Sequence, residues 1–207
     1  MTTISEIRTE LKPYNVEADT ELCEAILRYV TLLLKWNRRI SLTTITDPVD
    51  VVRFHFGESL FAASTVPIRG GRLADLGSGA GFPGLALRLA DSGLSVTLIE
   101  SNSRKAAFLS EIVRDLKLDR VTVSRARMDE LDSAETGFDF VTARALGQHH
   151  ELLAWARKRL SLDGRAILWL GEDDCETISG ESEWNWRMPI RIPSSKRRFL
   201  LVGSPRP

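Results

Sequence analysis

The chain has 207 residues, 43% hydrophobic and 27% charged, which suits one packed α/β domain and excludes disordered, collagen-like and disulfide-scaffold classes. Its 28 basic and 28 acidic side chains cancel, so no bulk field marks a nucleic-acid partner, although a local patch fits the same balance. Cys23 and Cys175 stand alone, which argues for a reducing compartment and against a zinc site. With a polar N-terminus and no apolar run near the ~18 residues of a membrane span, a cytoplasmic, non-membrane protein is expected.

Apolar residues recur at Leu22, Ile26, Tyr29, Leu33 and Trp36, the spacing of one helix face, and Asp19 or Thr20 is placed to cap it. Lys35-Trp-Asn-Arg-Arg39 sets cations at the negative end of that helix dipole. Asp47-Pro48 opens another helix, through Val51, Val52, Phe54 and His55 to about Ala63, with proline where its missing donor is not needed. A helical His55 ordinarily holds a local hydrogen bond. Residues 1–69 therefore read as a helical extension packed on a core of residues 70–207.

At Gly70-Gly71 the pattern changes. Leu73 to Leu76 is a short apolar run leading straight into glycines, and residues 83–90 read as a helix. Ser95 to Ile99 is a strand, and Phe108, Leu109, Ile112, Val113 and Leu116 mark the next helix. Strands follow at 121–123, 138–142 and 165–169, with a helix over about 152–160 between the last two. Such alternation predicts an α/β fold, a doubly wound parallel sheet covered on both faces. Residues 188–192 and 199–202 are too close in sequence for a parallel crossover, so an antiparallel hairpin should close the sheet. This layout resembles that of class I methyltransferases, which implies a Rossmann-like core.

Residues 73–84, Leu-Ala-Asp-Leu-Gly-Ser-Gly-Ala-Gly-Phe-Pro-Gly, form the strongest local signal. Gly77, Gly79 and Gly81 permit positive φ and close approach of a ligand at the carboxyl edge of the sheet. Gly79 to Gly84 also spells the dinucleotide fingerprint G-x-G-x-x-G. Asp75, two residues before Gly77, favours S-adenosylmethionine: a carboxylate there helps hold an amino-acid end but repels pyrophosphate. The terminal hairpin points the same way. Glu100 closes the next strand where an acid accepts ribose hydroxyls, which suits either nucleotide. Met128 and Asp129, after the third strand, offer an apolar face and a polar edge to adenine.

The sequence resembles the RsmG (GidB) family of bacterial 16S (small-subunit) ribosomal RNA methyltransferases, which modify guanine N7. The resemblance rests on Ser41-Leu-Thr-Thr, Asp47-Pro, Arg53-Phe-His-Phe-Gly-Glu-Ser-Leu60, the loop from Asp75 to Gly84, Arg104-Lys-Ala-Ala-Phe-Leu109 and Thr142-Ala-Arg-Ala145. It implies S-adenosylmethionine as cofactor, contacts to it from Gly77, Phe82, Met128, Asp129 and Arg144, and small-subunit ribosomal RNA or a ribosomal particle as partner. Four positions depart from the family pattern: Ser41 for Asn, Glu58 for Asp, Leu170 for Lys and Phe199 for His.

Guanine N7 has an in-plane lone pair and no proton to remove, so methylation there needs positioning more than a general base. No catalytic residue is nominated; no Ser/His/Asp or paired-carboxylate set stands out. RNA's deep groove hides N7, so a looped or splayed guanine is the expected target, with Arg144 a candidate donor to its O6. Acids without Lys or Arg fill residues 172–183, whereas residues 184–207 carry basic residues and no acids, a possible phosphate contact that includes Arg197 and Arg198. Two other readings stay open: a nicotinamide-dependent oxidoreductase, and a non-catalytic RNA-binding or assembly protein on the same fold. A monomer is the default expectation.

Overall fold

The computed structural model describes residues 2–131 and 135–206. Five parallel strands, β1 (Arg72–Leu76), β2 (Ser95–Ile99), β3 (Val121–Ser124), β4 (Phe138–Arg144) and β5 (Leu160–Gly171), form the sheet in the order β3-β2-β1-β4-β5. The antiparallel β8 (Arg198–Pro205) continues it beside β5, and β6 (Trp184–Trp186) and β7 (Ile190–Arg191) both pair with β8. The expected doubly wound, mostly parallel sheet with an antiparallel close is thus present.

Its parallel strands are apolar on both faces, and the two-residue side-chain period divides them between two cores. Leu73, Val96, Leu98, Phe140, Ile167, Trp169, Leu200 and Val202 face one side. Ala74, Leu76, Ile99, Val141, Ala143, Ala166, Leu168 and Leu201 face the other. The second side is covered by α7 (His149–Arg159) and α8 (Glu172–Ser179), through Leu152, Ala156, Cys175 and Ile178. The first is covered by α5 (Gly84–Ala90), α6 (Ser103–Asp115) and the N-terminal helices, whose Ile7, Tyr29, Leu33, Phe56 and Leu60 belong to the same core.

Those helices begin with α1 (Ile4–Leu11), started by a Thr3–Glu6 capping box, and α2 (Thr20–Asn37). Asp19 caps α2, accepting from Leu22 N–H at 2.8 Å. The helix expected from Pro48 runs through α3 (Pro48–Val51), a π-helical segment Val52–Gly57 and α4 (Glu58–Thr65), with Asp47 accepting from the amides of Val49 and Asp50. No described helix is long and apolar enough to cross a membrane.

Two local expectations need correction. The strand read over residues 165–169 begins already at Leu160, directly after α7, and pairs there with Phe138 before a register shift. The strand expected over residues 188–192 shrinks to Ile190 and Arg191, because Pro189 has no amide to donate and Met188 lies exposed. Beside it, Trp184–Trp186 forms a strand that was not expected, its Trp-Asn-Trp alternation being only three residues long.

Candidate cofactor and base site

The site is built on the turn from β1 into α5. Asp75 shares the side of β1 that bears Leu73, so its side chain enters the core beneath the loop, where it is fully buried. Its cross-strand neighbour Thr142 donates to Oδ1 at 2.7 Å, and the amide of Gly84 donates to Oδ2 at 3.1 Å. Burial raises the Asp75 carboxyl to about 6, against the lowering pull of the bonds from Thr142 and Gly84. A Cβ on Gly84 would lie 2.8 Å from Oδ2, so glycine lets α5 start directly on this carboxylate. The carboxylate therefore faces into the fold, and the hold on the amino-acid end of a cofactor expected of Asp75 has to act through the loop.

The loop itself follows φ values of 67°, 57° and 88° at Gly77, Gly79 and Gly81. At Gly81 a side chain would strike the Tyr29 hydroxyl, which donates to the Ala80 carbonyl at 2.7 Å. The amides of Gly77 and Ser78 donate to the Ile99 carbonyl at 2.9 and 3.1 Å, tying the turn to the end of β2. Just beyond that end, Glu100 accepts from Gly79 N–H at 2.9 Å through Oε2 and from Asn102 N–H at 2.7 Å through Oε1. The acid thus stands at the loop as expected.

Phe82 turns its ring inward. It stacks on His55 at 4.8 Å and on Tyr29 at 5.4 Å, with Phe56 edge-on at 4.9 Å. Any contact of Phe82 with a cofactor must therefore come from its backbone. His55 keeps the local hydrogen bond expected of it, Nε2 to Thr43 Oγ1 at 2.8 Å. Burial, reinforced by the Arg144 and Arg198 charges, pushes its pKa down to about 3, so the ring is neutral.

Gly77, Met128 and Asp129 come together in a cavity of about 180 Å³ between the ends of β1, β2 and β4. Leu76, Ile99 and Leu146 complete its apolar wall, and Asp129, ion-paired to Arg127 at 3.0 Å, gives it a polar edge. Ser101, Gln148 and Glu151 complete the rim of this slot beside the glycine loop, an apolar wall with polar edges of the kind that takes a nucleoside. Arg144 does not enter this cavity. It lines a second cleft, of about 450 Å³, over the ends of β4 and β5. Leu146 is common to both spaces, so they are adjacent.

Arg144 is mostly buried, with 14% of its side chain exposed. Its Nη2 donates to the Phe54 carbonyl at 2.9 Å and lies 3.0 Å from Glu58 Oε2. The other oxygen of Glu58 lies 2.7 Å from Nη2 of Arg198. These are ionic contacts without full hydrogen-bond alignment, and burial still raises the Glu58 carboxyl despite both arginines. Glu58, noted in the sequence only as a departure from the pattern, proves to be the anchor joining the helical layer to β4 and β8. No motif points to that pairing, nor to Thr142 as the partner of Asp75. Among the other departures, Leu170 lines the larger cleft, Phe199 lies under the Arg191 guanidinium at 5.5 Å, and Ser41 is exposed. The acidic and basic terminal segments meet: Arg197 lies 3.5 Å from Glu172 and 3.6 Å from Asp173.

Comparison with known proteins agrees with this geometry. A family model described as rRNA small subunit methyltransferase G (GidB) matches residues 22–187. The ribosomal RNA small subunit methyltransferase G of Xylella fastidiosa (strain 9a5c) is 41% identical over 193 residues, covering 90% of this chain and 89% of that protein. The protein of the same name from Halorhodospira halophila (strain DSM 244 / SL1) is 39% identical over 166 residues, covering 80% and 78%. Among solved structures, the ribosomal protein L11 methylase of Lactobacillus delbrueckii subsp. bulgaricus superposes with a TM-score of 0.63 at 16% identity, over 75% of this chain and 80% of that one. The glycopeptide N-methyltransferase MtfA complexed with sinefungin gives 0.63 at 13% identity, over 74% and 87%. At these identities the structures speak for a shared methyltransferase fold, whereas the sequence matches reach further: the chain belongs to the rRNA small subunit methyltransferase G family.

Proposed function

We propose that the protein is an S-adenosylmethionine-dependent methyltransferase acting on N7 of a guanine in 16S ribosomal RNA, in the cytoplasm. The observation that carries this reading is the pair of adjoining spaces at one sheet edge: a cavity of about 180 Å³ beside the glycine loop, and a cleft of about 450 Å³ across Leu146. When bound, S-adenosylmethionine supplies an electrophilic methyl group to the attacking nitrogen.

The chain's own part is to hold and orient. Gly77, Gly79 and Gly81 let the backbone approach the ligand, Glu100 is placed for the ribose hydroxyls, and Met128 and Asp129 flank the adenine. Asp75 and Phe82 act from beneath, fixing the loop through Gly84 and the aromatic stack on His55. Arg144, locked to Phe54 and Glu58, sets the cleft wall. Since N7 carries no proton, no side chain need act as base, and the neutral His55, sealed against Phe82, is not required as one. The helical layer of residues 1–69 belongs functionally to this edge, because Phe54, His55 and Glu58 support both the loop and the cleft.

The decisive experiment maps 7-methylguanosine in small-subunit RNA from cells with and without the gene. Loss of one modified guanine is expected, and an unchanged map would refute the RNA assignment. Calorimetric titration is expected to show binding of S-adenosylmethionine and none of NAD; the reverse would favour an oxidoreductase.

A further inference from the structure

The larger cleft contains one acidic side chain that the reading above does not use. Asp174 lines it from α8, the helix that follows β5. Its neighbours Glu172 and Asp173 lie against Arg197, but Asp174 has no arginine or lysine partner among the described residues. The basic side chain that comes within 4 Å of it among the described residues is His149, whose Nδ1 stands 3.9 Å away. Arg198 also lines the cleft. Glu58 holds its Nη2 from within, its Nε lies 3.4 Å from Ser195 Oγ, and its guanidinium sits 5.8 Å over the Phe54 ring. That arginine is a positioned donor rather than a swinging surface charge.

The sheet order sets the direction of a base in this cleft. The cofactor cavity lies on the β1 side of β4, whereas Asp174 and Arg198 approach from the β5 and β8 side. A guanine with N7 turned towards Leu146 and the cofactor cavity presents its N1–H and N2 amino donors on the far side. A carboxylate accepts from two parallel donors, and O6, between the two edges, accepts from a guanidinium. Adenine offers a lone pair at N1, which a carboxylate repels.

We infer that Asp174 reads the N1–H and N2 donors of the target guanine while Arg198 donates to its O6, so that these two residues select the base. The inference deepens the methyltransferase reading and rests on it. A site built around such donors rejects an analogue that lacks them.

The test uses small subunits reconstituted with RNA carrying either guanine or inosine at the position the protein methylates; inosine keeps N7, O6 and N1–H but lacks the N2 amino group. Wild-type protein, D174A and D174N are compared for kcat/KM on each RNA, for affinity to each with S-adenosylhomocysteine present, and for cofactor affinity by calorimetry. Wild type is expected to prefer guanine, within the span of about 5- to 150-fold that one bidentate base contact covers. Both variants are expected to bind cofactor normally, to lose activity on guanine, and to treat the two RNAs alike within about threefold, in rate and in affinity. Unchanged guanine preference in D174A and D174N would overturn the inference while leaving the methyltransferase reading intact. Failure of the wild-type protein to methylate either RNA would remove that reading, and the inference with it.

Discussion

Replacing Asp75 with asparagine isolates the cost of burying a carboxylate under the glycine loop. The folded pKa of about 6 stands above the usual 3.8, because burial outweighs the bonds from Thr142 and Gly84. The folded chain therefore keeps a proton that the unfolded chain has already released. Stability from this group is fully present below pH 3.8 and is lost as pH rises through about 6. A difference of about 2.2 in pKa corresponds to ~3 kcal/mol, of which ~2–3 kcal/mol falls between pH 4 and 7.5. The amide can keep both contacts: its oxygen accepts from Gly84 N–H, and its amino group donates to Thr142 Oγ1. The Thr142 hydroxyl then turns to the Ala74 carbonyl, already 3.4 Å away. His55, with its pKa near 3, loses stability in the opposite sense as pH falls below the usual 6.5, but both proteins contain it and its effect cancels. Urea unfolding of wild type and D75N across this range should show the variant gaining ~2–3 kcal/mol relative to wild type as pH rises. A difference that stays constant with pH would refute the reasoning.

Other substitutions probe the remaining parts. Gly81→Ala forces an alanine to φ 88° and sets its Cβ against the Tyr29 hydroxyl and 2.7 Å from Leu85 Cδ1. A loss of ~2–4 kcal/mol is expected, read by chemical denaturation, together with weaker cofactor binding. Glu58→Ala leaves Arg144 buried without its counter-ion and frees the half-exposed Arg198, for a cost of ~3 kcal/mol, and a variant as stable as wild type would contradict the anchoring role. Glu100→Gln keeps one acceptor for Gly79 or Asn102 but removes the charge; calorimetry should show cofactor affinity falling about 10- to 150-fold.

The order of strands and helices was legible in the amino-acid sequence because local periodicity carries it. The short apolar runs of β1 to β5 reflect burial on both faces, and the three-to-four-residue period of α2 and α6 reflects one buried face. Gly77, Gly79 and Gly81 announce the loop because few other residues tolerate positive φ, and the short link between the last strands forbids a parallel pair. Where burial comes from distant packing, the signal fades. The Trp184–Trp186 strand alternates over only three residues and is held by β8 and the stacked tryptophan rings.

Within the site, Gly77, Met128 and Asp129 of the smaller cavity could be named from the loop and from strand ends. Side-chain direction could not. Asp75 and Phe82 both sit in the glycine signature, yet one faces Thr142 and the other lies between His55 and Tyr29. Arg144 meets the carbonyl of Phe54, 90 positions upstream, and the charge of Glu58. Such partners depend on how the helical layer rests against the sheet. By itself, the sequence determined that a glycine-rich turn would lie at the carboxyl edge of a parallel sheet. Only the tertiary structure decided that its aspartate would be a buried support and its phenylalanine a core ring, because apolar burial and charge pairing act between residues close in space and far apart along the chain.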